Sequence, residues 1–147
     1  MRILVTGGSG FLGINLIRFL LDKGHEIVSY DFQPFEYEDT KDKITTVLED
    51  IRHEEPVDKW MKDIDMVVHC AAALPLYTEE EIFSTDVGGT KILLEAAKKH
   101  KVKRFVFISS TAVYGVPDHH PLYETDPMVG VGPYGQAKID AEKVCHK

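Results

Sequence analysis

A tyrosine and a lysine four residues apart are the side chains of this sequence best suited to proton transfer. Tyr134 and Lys138 stand at positions i and i+4 of a segment with a helical pattern, so we expect them on one helix face. An ordinary phenol has a pKa of about 10, so a base role near neutrality requires positive charge that favours the phenolate. Lys138 would supply that charge. The alternative is a structural pair, because many isolated pairs with this spacing do no chemistry.

A glycine-rich turn near the start of the chain predicts a phosphate-binding site. It lies between an apolar run with strand character and the first helical stripe. Glycines permit a tight turn and let backbone N–H groups approach a pyrophosphate, which the positive end of the following helix stabilises. The cofactor-binding residues predicted in this turn are Gly7, Gly10, Phe11, Leu12 and Gly13.

An aspartate further along predicts which dinucleotide this turn binds. Asp31 follows Gly13 by 18 residues and ends the second predicted strand, where a ribose-binding carboxylate belongs. Its charge would accept hydrogen bonds from a 2′-hydroxyl and repel a 2′-phosphate. No arginine stands between Arg18 and Arg52 to bind that phosphate. The sequence therefore predicts NAD rather than NADP, and the alternative is an aspartate that only caps a turn.

The elements that must position these residues alternate between short β-branched runs and longer helical stripes. This order is typical of a parallel sheet with helices on both faces, so we predict an α/β fold with a doubly wound parallel sheet in three layers, α/β/α. Helices are expected from Leu12, from about Thr78 to Lys101, and from Gly135. The predicted strands are Ile3–Thr6, Ile27–Tyr30, Ile44–Leu48, Met66–Cys70 and Phe105–Ser109.

Two segments depart from regular patterns. Gly88 and Gly89 lie inside the helix predicted from Thr78 and each costs about 1 kcal/mol relative to alanine, which we interpret as a sign of close packing against a neighbour. Residues 115–133 contain four prolines and several glycines, which predicts a long loop. Loops of this length often border a site, although a disordered surface excursion is the alternative.

Taken together, these motifs resemble those of the extended short-chain dehydrogenase/reductases, the NAD-dependent epimerase/dehydratase family. The glycine spacing is similar, and Tyr134 and Lys138 follow a Ser-Ser-Thr-Ala-Val-Tyr-Gly segment at residues 109–115. The resemblance implies a Rossmann fold with NAD as the cofactor. It also implies that Thr111 orients and polarises the substrate oxygen, that Tyr134 abstracts a hydroxyl proton, and that Lys138 binds the nicotinamide ribose.

The same resemblance implies further cofactor-binding residues after the strands. Asp50 and Ile51 correspond to positions near the adenine ring, although an aspartate here could also be a solvated acid. The small residues after strand four correspond to the nicotinamide side, although they could simply be core packing. Together with Lys138, the implied cofactor-binding residues outside the glycine-rich turn are Asp31, Asp50, Ile51, Cys70, Ala71, Ala72, Asp86 and Ser109.

One position departs from the family pattern, because Asp86 stands where the family usually has asparagine. An amide both donates and accepts hydrogen bonds, whereas an ionised carboxylate only accepts. We therefore expect either an altered hydrogen-bond network around Asp86 or a protonated carboxyl group.

The family resemblance implies an NAD-dependent nucleotide-sugar epimerase that transiently oxidises a sugar hydroxyl. A sugar dehydratase of this family carries an Asp-Glu pair where this chain has Ala112 and Val113, and elimination of water needs such an acid and base. Dehydratase therefore ranks lower. A carbonyl or hydroxysteroid-type reductase and a non-catalytic dinucleotide-sensing module remain alternatives, and the intact Thr111, Tyr134 and Lys138 favour an enzyme.

The composition and charge of the chain exclude several classes of binding partner. The net charge is −7 and basic residues are scattered among acidic ones, so no nucleic-acid partner is expected. No signal-peptide or membrane-span pattern is present, which predicts a cytoplasmic protein without a membrane partner. The two cysteines, Cys70 and Cys145, and the seven dispersed histidines give no metal-binding pattern.

Chain length bears on domain organisation. The resemblance spans nearly all of residues 1–147, which is about half of a typical family enzyme. We therefore expect one NAD-binding Rossmann domain, truncated before the C-terminal part that binds substrate and inactive in isolation. By resemblance, the full-length protein is expected to form a homodimer and to bind a nucleotide sugar.

Overall fold

The computed structural model describes residues 1–146. It contains a five-stranded sheet with the order β3-β2-β1-β4-β5, and every neighbouring pair of strands is parallel. The predicted parallel α/β sheet is confirmed, with strand boundaries within two residues of those expected. The strands are β1 (Arg2–Thr6), β2 (Glu26–Asp31), β3 (Thr45–Leu48), β4 (Met66–His69) and β5 (Arg104–Phe107).

The helices follow the strands in the alternating order that the sequence predicted. Short 3-10 helices cover Lys41–Lys43 and Thr111–Tyr114, and a π-helical segment covers Phe83–Gly89. The α-helices are α1 (Phe11–Asp22), α2 (Glu54–Met61), α3 (Glu79–Ile82), α4 (Thr90–Lys99) and α5 (Gly132–Cys145).

The contacts divide the chain into two compact units. We call residues 1–71 and 92–108 the sheet unit, and residues 72–91 and 109–146 the helical unit. The sheet unit contains all five strands with α1 and α2, and the helical unit contains α3, the π-helical segment, the second 3-10 helix and α5.

The sheet unit has a hydrophobic cluster on each face of the sheet. Successive side chains of a strand point to opposite faces, so Leu4 packs with the cluster that includes α2, while Ile3 and Val5 pack with the cluster that includes Ile17 of α1. Burial on both faces explains why the strands are nearly continuous apolar runs. The predicted three-layer arrangement is thereby confirmed within this unit.

The helical unit shows that the long helix predicted from Thr78 is interrupted. It begins as expected, because the Thr78 side chain accepts a hydrogen bond from Glu81 N–H while the Glu81 side chain accepts one from Thr78 N–H, forming a capping box. The chain then passes through the π-helical segment before α4. A Cβ atom added to Gly88 would meet only the Phe83 carbonyl oxygen, at 3.9 Å. The close packing predicted for Gly88 is therefore wrong.

The long loop ends earlier than predicted. Helix α5 begins at Gly132 with Pro133 in its first turn, where the missing proline N–H costs no helical hydrogen bond. Just before α5, the N–H groups of Val129 and Gly130 both donate to the Val113 carbonyl oxygen at 2.9 Å. These bonds fix the last residues of the loop to the second 3-10 helix.

Within residues 1–146, no helix combines the length and the apolar composition needed to cross a membrane.

Candidate active site

The glycine-rich turn of the sheet unit is shaped so that side chains would not fit in it. Gly7 has a φ of +69°, and a Cβ atom added there would lie 2.7 Å from the Ala71 nitrogen. A Cβ atom on Gly13 would lie 2.7 Å from the Gly8 Cα. Gly10 caps α1 without any side-chain hydrogen bond to the first turn. The turn thus presents backbone at the positive end of a 12-residue helix, an arrangement that fits a pyrophosphate.

Phe11 and Leu12 begin α1, and both side chains are exposed. Their backbone N–H groups belong to the first turn of the helix, where N–H groups have no hydrogen-bond acceptor within the helix. The structure therefore places all five predicted residues of the turn at one helix N-terminus.

Asp31 ends β2 and connects this strand to the glycine-rich turn. One carboxylate oxygen accepts the Ser9 N–H at 3.0 Å and the other accepts the Gln33 N–H at 2.9 Å. These bonds match the turn-capping interpretation. A carboxylate has about four acceptor positions, so Asp31 retains capacity for the ribose hydroxyls that the cofactor interpretation requires.

The arginine on α1 is engaged by the loop that follows β2. Arg18 Nε and Nη2 donate to the two oxygens of Asp39 at 2.8 and 2.9 Å, and its guanidinium lies 5.6 Å from the centre of the Tyr37 ring. The Tyr37 hydroxyl donates to the Ser9 carbonyl oxygen at 2.9 Å. This bidentate pair holds the pKa of Asp39 below its usual range, chiefly through the hydrogen bonds from Arg18.

Asp50 and Ile51 follow β3 and have different surroundings. Arg52 folds back onto Asp50, with Nη2 at 2.6 Å from Oδ2 and its backbone N–H at 2.9 Å from Oδ1. The hydrogen bonds from Arg52 lower the pKa of Asp50. Ile51 is 5% exposed and packs in the core cluster. The interpretation of Asp50 as a solvated acid is therefore incomplete, because its charge is paired.

The small residues after β4 lie against the end of β1. Cys70 N–H donates to the Thr6 carbonyl oxygen at 3.1 Å, and Ala71 N–H donates to Thr6 Oγ1 at 3.2 Å. Thr6 Oγ1 also hydrogen-bonds His69 Nδ1 at 2.7 Å, with both side chains buried. The third small residue, Ala72, begins the helical unit.

In the helical unit, Tyr134 and Lys138 lie on one face of α5, as their spacing predicts. The Lys138 Nζ is 5.8 Å from the centre of the Tyr134 ring, and Lys138 is only 2% exposed. The structure therefore places a phenol ring and a buried ammonium group together on α5.

Thr111 is exposed at the start of the second 3-10 helix. The Ser110 side chain caps this helix by accepting the Ala112 N–H at 3.2 Å. A Cβ atom added to Gly135 would lie 2.7 Å from the Ala112 carbonyl oxygen, so α5 packs directly on this helix. The residues that follow Thr111 and Tyr134, Ala112 and Gly135, are thus in close contact.

Asp86 and Ser109 also contact residues of the helical unit. The Ser109 hydroxyl donates to Glu142 Oε1 on α5. Asp86 is 1% exposed; its Oδ1 accepts the Ala73 N–H at 2.6 Å and its Oδ2 is 3.8 Å from Lys138 Nζ. Burial raises the pKa of Asp86, and the Lys138 charge opposes that shift.

Comparison with known proteins identifies the family. A sequence profile described as the NAD dependent epimerase/dehydratase family matches residues 3–147. The chain belongs to this family. The resemblance stated from the motifs is confirmed, and so are the Rossmann fold and the assignment of NAD as the family's cofactor.

Two curated relatives show the range of this family. A UDP-glucose 4-epimerase of Halalkalibacterium halodurans is 35% identical over 153 aligned residues, which cover 99% of this chain and 46% of that protein. A 3-beta-hydroxysteroid dehydrogenase of Mycolicibacterium neoaurum is 42% identical over 120 residues, which cover 76% of this chain and 32% of that protein.

A solved structure has the same fold. The crystal structure of UDP-glucose-4-epimerase from Stenotrophomonas maltophila with bound NAD and formylated UDP-arabinopyranose superimposes with a TM-score of 0.90 at 29% identity. The superposition covers 99% of this chain and 48% of that chain. The family member described here therefore spans less than half the length of each of these three proteins.

Several contacts around the family motifs have no local sequence signal. The Arg18–Asp39 pair joins residues 21 positions apart, and the Thr6–His69 bond joins residues 63 positions apart. Gly135 is the one local signal, because a glycine inside a helix indicates that another segment of backbone approaches the helix closely. Among residues 1–146, no three His, Cys, Asp or Glu side chains come together as a metal ion would require.

Proposed function

We propose that this chain is the NAD-binding part of a longer NAD-dependent nucleotide-sugar epimerase. The observation that carries the proposal is the arrangement of Lys138 Nζ 5.8 Å from the Tyr134 ring, on a helix packed against the 3-10 helix that begins at Thr111. The epimerases among the relatives and solved structures support the sugar substrate.

The residues of the sheet unit fit NAD. The glycine-rich turn would receive the pyrophosphate, because its backbone has no room for side chains and it lies at a helix N-terminus. The Asp31 carboxylate would accept hydrogen bonds from the ribose hydroxyls. Asp50 and Ile51 would lie on the adenine side, and Cys70, Ala71 and Ala72 on the nicotinamide side. When bound, NAD supplies a hydride acceptor beside the sugar carbon that is oxidised.

The residues of the helical unit would handle the proton. Thr111 Oγ1 would hydrogen-bond the sugar hydroxyl and orient it. Tyr134 Oη would then take the hydroxyl proton, with the Lys138 ammonium beside its ring. Lys138 would also donate hydrogen bonds to the nicotinamide ribose, and Ser109 and Asp86 would support the cofactor side through their contacts with Glu142 and Lys138.

Epimerisation ranks above dehydration because Ala112 and Val113 offer no carboxyl groups after Thr111. A hydroxysteroid-type dehydrogenase is the second candidate, and the 42% identity with such an enzyme over 120 residues favours it. The two differ in outcome. An epimerase returns NAD to its starting state, whereas a dehydrogenase accumulates reduced cofactor.

The first test is calorimetric titration of this chain with NAD and with NADP. We expect NAD to bind in preference, and Asp31→Ala to weaken that binding. Glu36→Ala is the matched control because Glu36 is an exposed acid of the same loop and should leave binding unchanged. Tighter binding of NADP would contradict the assignment of Asp31. If neither cofactor binds, the chain by itself is not a sufficient NAD-binding unit.

The second test uses the whole protein with UDP-glucose as the probe. Conversion to the C4 epimer, followed by NMR, without accumulation of reduced nicotinamide supports the epimerase. Tyr134→Phe should remove this activity and leave NAD binding intact. Accumulation of reduced nicotinamide with a hydroxysteroid and no reaction of the sugar would instead support the second candidate.

We also propose that the whole protein is a homodimer formed through residues 79–100 and the helix from Tyr134 onward. Light scattering coupled to size-exclusion chromatography should give twice the monomer mass. A monomeric mass at micromolar concentration would contradict this proposal.

A further inference from the structure

The buried carboxylate of Asp86 is only half satisfied by hydrogen bonds. Oδ1 accepts the Ala73 N–H, whereas Oδ2 has no hydrogen-bond partner. A buried polar atom left in this way costs free energy unless another interaction offsets it. The charged group near Oδ2 is the Lys138 ammonium, 3.8 Å away, so the carboxylate is placed as a counter-ion.

The π-helical segment is the element that sets this placement. Asp86 lies in the middle of Phe83–Gly89, and Thr90 Oγ1 donates to the Asp86 carbonyl oxygen at 2.6 Å. Single π-helical turns inside α-helices are rare and occur frequently at functional sites. The segment packs against α5, which carries both Tyr134 and Lys138.

We propose that Asp86 is a positioning residue that pairs with the Lys138 ammonium and thereby offsets part of the positive charge that Lys138 presents to the Tyr134 phenol. The role rests on the proposed function, in which Tyr134 is the base. A neutral amide at position 86 would leave the Lys138 charge undiminished. This chain therefore operates its tyrosine with less electrostatic support than an asparagine would give.

Other ionisable groups lie on the elements around this pair. On α5, Cys145 and Glu142 lie on the Lys138 side: burial and the Glu142 charge raise the pKa of Cys145, and Lys138 lowers it. The second 3-10 helix contributes only Tyr114. Helix α3 carries Glu79, Glu80 and Glu81, which are exposed, so their fields are screened by solvent. Within the described part of this unit, Asp86 is thus the acidic residue that lies buried beside Lys138.

The test is to measure the ionisation of Tyr134 directly. The chain is labelled with carbon-13 at the tyrosine ring carbon that carries the hydroxyl, and the Tyr134 NMR signal is assigned by its absence in Tyr134→Phe. In Asp86→Asn, we expect the midpoint of phenol ionisation to fall by about one pH unit, since a neighbouring charge shifts a pKa by roughly that much or more. The amide oxygen can still accept the Ala73 N–H.

Two further variants keep the measurement decisive. Asp140→Asn removes one negative charge from the same helix at a residue paired with Lys143 and Gln136, and it should leave the Tyr134 midpoint unchanged. Asp86→Ser is a second neutral replacement that can accept the Ala73 N–H, and it should also lower the Tyr134 midpoint. It takes the place of Asp86→Asn in the test if that variant fails to fold. An unchanged or higher midpoint in a folded Asp86 variant would overturn the proposal.

Failure of this proposal and failure of the proposed function give different results. The titration needs neither cofactor nor turnover, and NAD binding is measured separately by calorimetry. Absence of NAD binding by the whole protein, together with the expected Tyr134 shift, would refute the function and leave the role of Asp86 standing. Normal NAD binding without the Tyr134 shift would refute the role of Asp86 and leave the proposed function standing.

Discussion

Replacing Gly13 by alanine tests whether the glycine-rich turn depends on backbone contact. The added Cβ atom would lie 2.7 Å from the Gly8 Cα and 2.9 Å from the Gly7 carbonyl carbon. Ordinary contacts of this kind begin at 3.4 Å. The Gly7 carbonyl oxygen would lie nearer still than the Gly8 Cα, so α1 and the turn would have to separate by more than 0.7 Å, the difference between 3.4 and 2.7 Å. The opposing atoms are backbone, which cannot rotate away as a side chain would.

The expected loss of stability follows from two opposing effects. Overpacking of this kind costs about 3 kcal/mol at the upper part of its usual range. Alanine gains about 1 kcal/mol over glycine inside a helix. The net loss in the free energy of unfolding is therefore about 2 kcal/mol, or roughly 6 °C in Tm for a chain of this size.

Urea unfolding followed by circular dichroism measures this loss, with Gly88→Ala as the control. The Cβ atom in the control meets only one atom, at 3.9 Å, so its stability should stay within about 1 kcal/mol of the wild type. NAD binding should weaken only in Gly13→Ala. Equal stability of Gly13→Ala and wild type would refute the steric argument, because it would show that the turn can move apart freely.

Three further predictions concern the helical unit. Lys138→Met leaves the Asp86 carboxylate buried without its counter-ion and should destabilise the chain by about 3 kcal/mol in urea unfolding at neutral pH; adding Asp86→Asn should recover most of this loss, and no recovery would contradict the pairing. Burial raises the pKa of Asp86 in the folded chain. Its contribution to the stability of the folded chain is therefore fully present below the pKa of an aspartate in the unfolded chain, about 4, and is lost as the pH rises through the folded-state pKa. The stability of Asp86→Asn relative to wild type should therefore increase with pH across that window, and a decrease measured by unfolding at several pH values would show the opposite shift. Gly135→Ala, whose Cβ would lie 2.7 Å from the Ala112 carbonyl oxygen, should lower the free energy of unfolding by about 2 kcal/mol and reduce turnover by the whole protein. An unchanged free energy of unfolding in urea would disprove the close contact between α5 and the 3-10 helix.

Local sequence was sufficient to predict the secondary-structure elements and the residues that could take part in a reaction. Strand and helix positions follow from apolar periodicity, and β2, for example, was expected at Ile27–Tyr30 and lies at Glu26–Asp31. The Tyr134–Lys138 face follows from helix geometry alone. A helix start was expected at about Thr78, and the structure begins α3 at Glu79 with Thr78 as its N-cap residue.

Local sequence was insufficient where a neighbour from a distant part of the chain changes the backbone. Nothing in residues 83–89 distinguishes a π-helical turn from an α-helix with two glycines. The helix predicted from about Thr78 to Lys101 is therefore present, but the π-helical turn within it was not predicted. The loop boundary at Gly132 was also missed, because Pro133 reads as a helix breaker unless its place in the first turn is known.

The sequence by itself determined that this chain forms a parallel α/β sheet, that a glycine-rich turn precedes its first helix, and that a phenol and an ammonium share one helix face. These features depend on residues within a few positions of one another. Only the tertiary structure decided the strand order, the engagement of Arg18 by Asp39, the contact of Gly135 with Ala112, and the pairing of Asp86 with Lys138. The physical reason is that burial and charge pairing depend on which distant side chains share a space, and no periodicity along the chain encodes that choice.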